Sequence, residues 1–164
     1  MFFQKVFHCV GFWAVVIIKI LTNWLNCTLF YINHVLNYYN YMNKKNPNLT
    51  AEQKLVMFEE GTEPPGTSEL NQEKREGSFH CANCDVKLFE SQTKYESGSG
   101  WPSFFKSLPN VFETKTDHLL GYARTEYHCI NCNAHHGHIF DDGPQPTGKR
   151  YCNNGVCLVF KPKK

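Results

Sequence analysis

The stretch Tyr122–Phe140 reads YARTEYHCINCNAHHGHIF. Two strand candidates, YARTEYHC and HHGHIF, flank a CxxC unit, Cys129-Ile130-Asn131-Cys132. A short strand, a tight cysteine turn and a second short strand make a hairpin whose tip can grip an ion. The same signals recur along the chain. SFHC, VKLFE and VCLVFKP are further strand candidates, separated by turn formers such as SGSGWP, LPN and DDGPQPTG. The composition agrees: aromatics make up 15% of the chain, with 11 glycines and 8 prolines, which favours short strands over long helices. The exception is LTAEQKLVMF, where Thr50 and Gln53 have capping-box spacing and Leu55, Val56 and Phe58 give a short helix one apolar face. The expected fold is mainly β with a short N-terminal helical segment.

The chain holds 8 cysteines in 164 residues, below the density of a disulfide scaffold. Four form a CxxC…CxxC set: Cys81, Cys84, Cys129 and Cys132. A two-residue gap turns both sulfurs of a knuckle toward one ion, and two knuckles make a closed tetrahedral S4 site for one structural zinc. The long separation of the pairs would make this site a staple between distant hairpins. Redox-active dithiols and disulfides are the competing readings of the same spacing.

The chain changes character near residue 46. Before it, acidic residues are absent and CVGFWAVVII (residues 9–18) is the most apolar run. A spanning helix needs about 20 mostly apolar residues, a length reached here only by tolerating Lys19 and Asn23. Residues 1–46 therefore read as a leader, as a membrane anchor, or as an untranslated extension upstream of a start at Met42, disordered or helical. The last reading gives a cytoplasmic protein. The others give a mitochondrial, endoplasmic-reticulum or membrane-anchored one. Residues 47–164 form the domain. A net charge of +2 is too near balance for a nucleic-acid surface.

Cys152, in GKRYCNNG, belongs to neither CxxC pair. Arg150 lies two residues away, and a nearby cation lowers a thiol pKa and favours the nucleophilic thiolate. His135 and His138 can donate protons near neutral pH. In SGSGWPSF, Gly98 and Gly100 allow close backbone approach, and Trp101 before Pro102 can be presented to a ligand. The bland alternatives are a buried, inert Cys152 and a Trp101 that fills core.

The segments GTEPP, CANC, LFESQTKYESGSGWPSF, CINC and HHGHIFDDGPQPTGKRYC, with Asn154, resemble the methionine-R-sulfoxide reductases of the B type. The resemblance runs from about Leu49 to Lys161, and SGSGWPSF looks most like the animal organellar members. It implies two antiparallel sheets and a zinc site remote from the catalytic cysteine. It implies that Cys152 is the nucleophile, that His135 and His138 are the active-site histidines, and that Trp101 is the wall for the substrate methyl. Arg150 and Asn154 become the polar residues beside the nucleophile, and Cys81, Cys84, Cys129 and Cys132 the zinc ligands. The implied reaction is thiol-dependent reduction of the R epimer of protein-bound and free methionine sulfoxide, through a Cys152 sulfenic acid, in repair of oxidised proteins. The implied partners are oxidised proteins and thioredoxin or another thiol reductant. The expected state is a monomer, with no nucleic acid bound and no membrane contact unless residues 1–46 are an anchor.

The sequence departs from the family at several positions. Ser99 replaces the usual resolving cysteine, so a loop disulfide with Cys152 is impossible. Cys157 could reach Cys152 only through a bend at Gly155, since residues five apart on a strand face opposite ways. His136 would either compete electrostatically with its neighbours or face outward. Gly155 would loosen the strand that holds the nucleophile. The alternative from another class is a non-catalytic zinc-stapled β domain that binds a peptide or small ligand in a Trp101 pocket.

Overall fold

A computed structural model describes Ile32, residues 46–118 and residues 121–164. The leader, anchor and start-site readings of residues 1–46 lie outside the described residues, apart from Ile32 and Asn46. Among the described residues no helix is long and apolar enough to cross a membrane.

Helix α1 spans Ala51–Phe58 and begins with the expected capping box. The Gln53 N–H donates to Thr50 Oγ1 at 3.1 Å, and the Thr50 N–H donates to Gln53 Oε1 at 3.0 Å. Two of the helix's orphan donors are thereby satisfied at its first turn. Val56 and Met57 are its buried residues. The Gln53 side chain also donates to the Val156 carbonyl at 3.0 Å, which ties the helix to the far end of the chain.

Nine strands follow, all paired antiparallel: β1 (Gly77–Cys81), β2 (Lys87–Glu90), β3 (Lys94–Tyr95), β4 (Ser103–Phe104), β5 (Phe112–Asp117), β6 (Arg124–Cys129), β7 (His135–Phe140), β8 (Arg150–Asn153) and β9 (Leu158–Pro162). They form a three-stranded sheet in the order β2-β1-β9 and a six-stranded sheet in the order β3-β4-β8-β7-β6-β5. Among the described residues from Asn46 onward the fold is mainly β, with two antiparallel sheets and one short α-helix, as expected. Val156 and Cys157 are a correction: they lie in a 3-10 turn, Gly155–Cys157, rather than in the strand. Strand β5 had no signal. Beyond Phe112, whose ring packs against the core, its sequence FETKTD is polar, and it is held by six register pairs to β6.

The core between the sheets is aromatic. Phe79 of β1 and Phe89 of β2 meet Phe104 of β4, with ring centroids 4.9 and 4.1 Å apart, and all three are fully buried. These contacts join the small sheet to the large one. Burying one such ring is worth about 1.5–3 kcal/mol, so three of them weigh heavily in a domain whose net stability is about 5–15 kcal/mol.

Two irregularities place the later site. The β6–β7 register slips between Tyr127 and His128, so that His128 pairs with His135, Tyr127 with Gly137, and His136 is the extra residue of a bulge. Residues three apart on a regular strand face opposite ways. The bulge turns His135 and His138 to the same side, their rings 5.6 Å apart. The second irregularity is Gly137 itself, at φ 152, where a Cβ would sit 2.0 Å from the Cys152 carbonyl oxygen. Only glycine lets β8 come this close.

Replacing Phe104 with alanine is expected to lower the unfolding free energy by about 3–5 kcal/mol. Urea unfolding checks this: the midpoint should fall while the slope stays unchanged.

Candidate functional site

The four paired cysteines meet. Cys81 ends β1 and Cys129 ends β6, and each opens a matching turn. The Asp85 N–H donates to the Cys81 carbonyl at 2.9 Å, and the Asn133 N–H to the Cys129 carbonyl at 2.7 Å. Asp85 and Asn133 both take positive φ, 63° and 56°, a conformation that Asp and Asn tolerate better than most residues. The Cys81 and Cys132 sulfurs lie 3.7 Å apart, and those of Cys84 and Cys129 lie 3.6 Å apart. All four fall within 4.8 Å of one another. A tetrahedral ion with bonds of about 2.3 Å needs sulfurs about 3.8 Å apart, so the cluster fits such an ion. None of the four is in a disulfide. Four thiols this close cannot all ionise alone. Hydrogen bonds with Cys129 pull Cys84 and Cys132 down, while hydrogen bonds from the neighbouring sulfurs push Cys81 and Cys129 up. A bound cation would remove that conflict. Asn46 latches onto the first knuckle, its N–H donating to Asn83 Oδ1 at 2.8 Å and its side chain to the Ala82 carbonyl at 3.1 Å.

A separate open cleft is lined by Thr62, Trp101, Arg124, Gly137, His138, Phe140, Cys152 and Asn154. Cys152 lies on β8, paired with His138 of β7 on one side and Ser103 of β4 on the other. Its Sγ is 3.8 Å from Ser99 Oγ, which belongs to a hydroxyl network through Ser97 and Ser103. Burial pushes the Cys152 thiol up, and the Ser99 hydroxyl and the Arg150 charge pull it down without prevailing. This corrects the expectation of a depressed pKa. Arg150 is not free to act on the sulfur alone: it is held bidentate by Asp142 at 2.8 and 2.8 Å and lies 4.3 Å over the Phe140 ring.

His138 donates from Nε2 to Asp117 at 3.0 Å, and Asp117 is ion-paired with Arg124. Burial lowers the His138 pKa, and Asp117 opposes that shift. His135 does not line the cleft. It is 1% exposed, and burial followed by the neighbouring imidazoles lowers its pKa to about 3. His136 does not face outward, while its ring is among the imidazoles that lower the His135 pKa. It is fully buried on the other side of the sheet, beside Phe112 and Tyr127, and accepts from Asn153 Nδ2 at 3.4 Å. Its bulge position sends it into the core.

Glu63 is the residue that sequence reasoning missed. Its carboxylate is 2% exposed and accepts from the Gly155 N–H at 2.6 Å and the Val156 N–H at 2.9 Å. Its N–H donates to Asn154 Oδ1 at 3.1 Å, and its carbonyl accepts from Trp101 Nε1 at 3.0 Å. One residue thus holds the Trp101 indole and the turn after Cys152. Burial raises its pKa, and the two backbone donors oppose this. Its only signal was a lone acid within GTEPP. Gly155 is likewise a correction: it does not loosen the strand, because a Cβ there would meet Ser68 Oγ at 1.9 Å and the turn closes only without one. Asn154 touches the cleft but spends its amide on the His136 carbonyl at 3.1 Å. Cys157 is turned into the core, its Sγ 3.4 Å from the His135 carbonyl.

The family model for the SelR domain matches residues 49–162. The chain belongs to the SelR domain family. Two relatives carry the name peptide methionine sulfoxide reductase MsrB. The protein of Pseudomonas putida (strain W619) is 52% identical over 117 residues, covering 70% of this chain and 87% of its own length. That of Escherichia coli O45:K1 (strain S88 / ExPEC) is 51% identical over 114 residues, covering 69% and 83%. The SelR match spans both knuckles, the cleft and Glu63, while Asn46 lies just before it.

The opposed charges beside Cys152 give a measurable prediction. Alkylation by iodoacetamide, followed at the Cys152 peptide by mass spectrometry, speeds up as pH rises through the thiol pKa. Arg150→Gln removes a positive charge and is expected to move that midpoint to higher pH. Asp142→Asn removes a negative one and is expected to move it lower.

Proposed function

We propose that residues 47–164 form a domain that reduces the R epimer of methionine sulfoxide in proteins to methionine, with Cys152 as the nucleophile. The observation that carries this reading is that the Cys152 thiol, the Trp101 indole and the His138 ring line one cleft. Relatives at about half identity bear the name of that enzyme, which does not favour a non-catalytic binding module.

The Cys152 thiolate attacks the sulfoxide sulfur while His138, steadied by Asp117, supplies a proton to the sulfoxide oxygen. The attack forms a bond between Cys152 Sγ and the substrate sulfur. The hydroxyl then passes from the substrate sulfur to Cys152 as both the S–O and the new S–S bond break, so methionine leaves with the electron pair and Cys152 is left as a sulfenic acid. The substrate sulfur gains two electrons and the cysteine loses two. Trp101 packs the methyl group and fixes which face of the chiral sulfur is presented. Arg150 tunes the thiol, and Asn154 holds the rim of the cleft in place. His135 acts from behind His138, as its burial and ring contact suggest.

The sulfenic acid then condenses with an external thiol, releasing water, and a second thiol frees Cys152 as a new disulfide leaves. Ser99 stands 3.8 Å from Cys152 where a resolving thiol would help, and Cys157 is buried against His135. Both features support an external donor, and we assign that role to thioredoxin or another dithiol, acting on a monomer. Cys81, Cys84, Cys129 and Cys132 would hold one zinc ion, which supplies a structural cross-link and takes no part in the reaction.

The R and S sulfoxides, supplied separately with dithiothreitol, test the assignment. Turnover of the R epimer alone is expected, abolished in Cys152→Ser and reduced about 10–200-fold in kcat/KM by Trp101→Ala, the range for losing an apolar pocket contact. Equal turnover of both epimers would overturn it. For the metal, Co2+ exchanged into the S4 site should give a thiolate charge-transfer band in the near ultraviolet, lost in Cys84→Ser.

A further inference from the structure

We propose that Glu126, His128 and His135 form a second metal site, for a divalent ion of the zinc, copper or nickel class. One potential ligand atom from each lies within 4.8 Å of the others, and all three side chains are buried. Exposures are 6% for Glu126, 3% for His128 and 1% for His135. The folding of the β6–β7 hairpin brings them together. Glu126 and His128 are two apart on β6 and share a face, and His135 pairs directly with His128 through the bulge.

The polar atoms in this pocket lack ordinary partners. His128 Nε2, His135 Nδ1 and His135 Nε2 are buried and make no hydrogen bond. Yet His128 Nε2 lies 3.2 Å from Glu126 Oε1, and His135 Nδ1 lies 3.6 Å from Glu126 Oε2. The distances are those of neighbours, but neither contact meets the geometry of a hydrogen bond. Two ligands of one ion meet in this way: each lone pair points to the ion, and the partner atom lies to one side. Metal bonds of about 2.1 Å from nitrogen and oxygen put tetrahedral ligands about 3.4 Å apart. The two observed separations lie on either side of that value.

The outer contact supports the same reading. His128 Nδ1 is 3.3 Å from the Asn133 carbonyl oxygen, which can only accept. Donation there from a neutral ring leaves the Nε2 lone pair toward a carboxylate, a repulsive arrangement unless a proton or a metal ion lies between, and the contact lacks the geometry of a hydrogen bond that a proton would make. Metal-bound histidines commonly donate their second N–H to a backbone carbonyl in this way. Two imidazoles and one carboxylate suit zinc, copper or nickel better than magnesium or calcium, which prefer all-oxygen shells. With three protein ligands, one position stays open. The Cys129–Cys132 knuckle closes the same hairpin, so the two sites would share a scaffold while differing in ligand chemistry.

The test uses the full chain as Cys152→Ser, with its S4 site filled, titrated with Cu2+ and separately with Co2+. One further ion per chain is expected. Its Cu2+ paramagnetic resonance spectrum should show coupling to two nitrogens, and its Co2+ spectrum should lack the thiolate charge-transfer band. Glu126→Gln and His128→Leu should each weaken this ion at least about 100-fold, since losing even an outer partner of a ligand costs 10–100-fold. No further ion, a spectrum without nitrogen coupling, or undiminished binding in folded variants would overturn the proposal. If neither variant folds, the spectrum of the parent decides alone. Failure here would leave the thiolate band, and the reading of Cys152, untouched.

Discussion

The approach of four sulfurs to within 4.8 Å of one another is the constraint from which the domain is built. Cys81 and Cys84 belong to the turn after β1, in the small sheet, and Cys129 and Cys132 to the turn between β6 and β7, in the large one. An ion bound there would link the two sheets at one end, while the Phe79–Phe89–Phe104 cluster packs them together elsewhere. The magnitudes rank the two. Structural zinc contributes about 10–16 kcal/mol of apparent binding energy, as large as the whole net stability of an ordinary domain, about 5–15 kcal/mol. Without the ion, the same four thiols would be crowded and partly buried for no gain. The knuckle also fixes the start of β7, and with it the bulge at His136 that turns His135 and His138 to one side.

A second constraint organises the cleft, and it is a buried carboxylate. An isolated buried charge is costly. Glu63 offsets that cost with two backbone donors, and its own main chain engages Asn154 and Trp101. The segment before β1 is thereby fastened to both sides of the cleft. Cys152 is held in place by this tie and by close packing at Gly137 and Gly155, where added Cβ atoms would overlap neighbours. Gly155 is therefore a requirement of the turn rather than a weakness of the strand.

Local sequence signals located most of the fold. The capping box at Thr50, the CxxC pairs and the runs HHGHIF and YARTEYHC are read over a few residues, and each forms where its pattern lies. What escaped was non-local. Glu63 meets Gly155 across a separation of 92 residues, and Asp117 meets His138 across 21. Strand β5 has no apolar alternation because it is an edge strand, polar beyond Phe112. His136 was misjudged because a bulge is a property of a pairing, invisible in one strand alone. Arg150 was legible as a neighbour of Cys152, but the competing Asp142 and the burial of the thiol were not.

The upward shift of the Cys152 pKa looks at first like a flaw in a nucleophile. The thiolate fraction falls as pKa rises, but each thiolate becomes more nucleophilic, so the two effects partly cancel. Burial brings a further consequence. A thiol that stays protonated in the resting protein is poorly reactive toward stray oxidants, which attack exposed thiolates first. Arg150, shared with Asp142, and Ser99 at 3.8 Å can stabilise the anion, yet neither overcomes the cost of burial. In the proposed reaction, a substrate with an apolar methyl against Trp101 and a basic oxygen toward His138 brings its own acceptor for a proton. Loss of the thiol proton and protonation of the sulfoxide oxygen can then be coupled within one closed site. In that arrangement, the same burial that quiets the resting thiol lets the sulfur react where an acceptor is already in place.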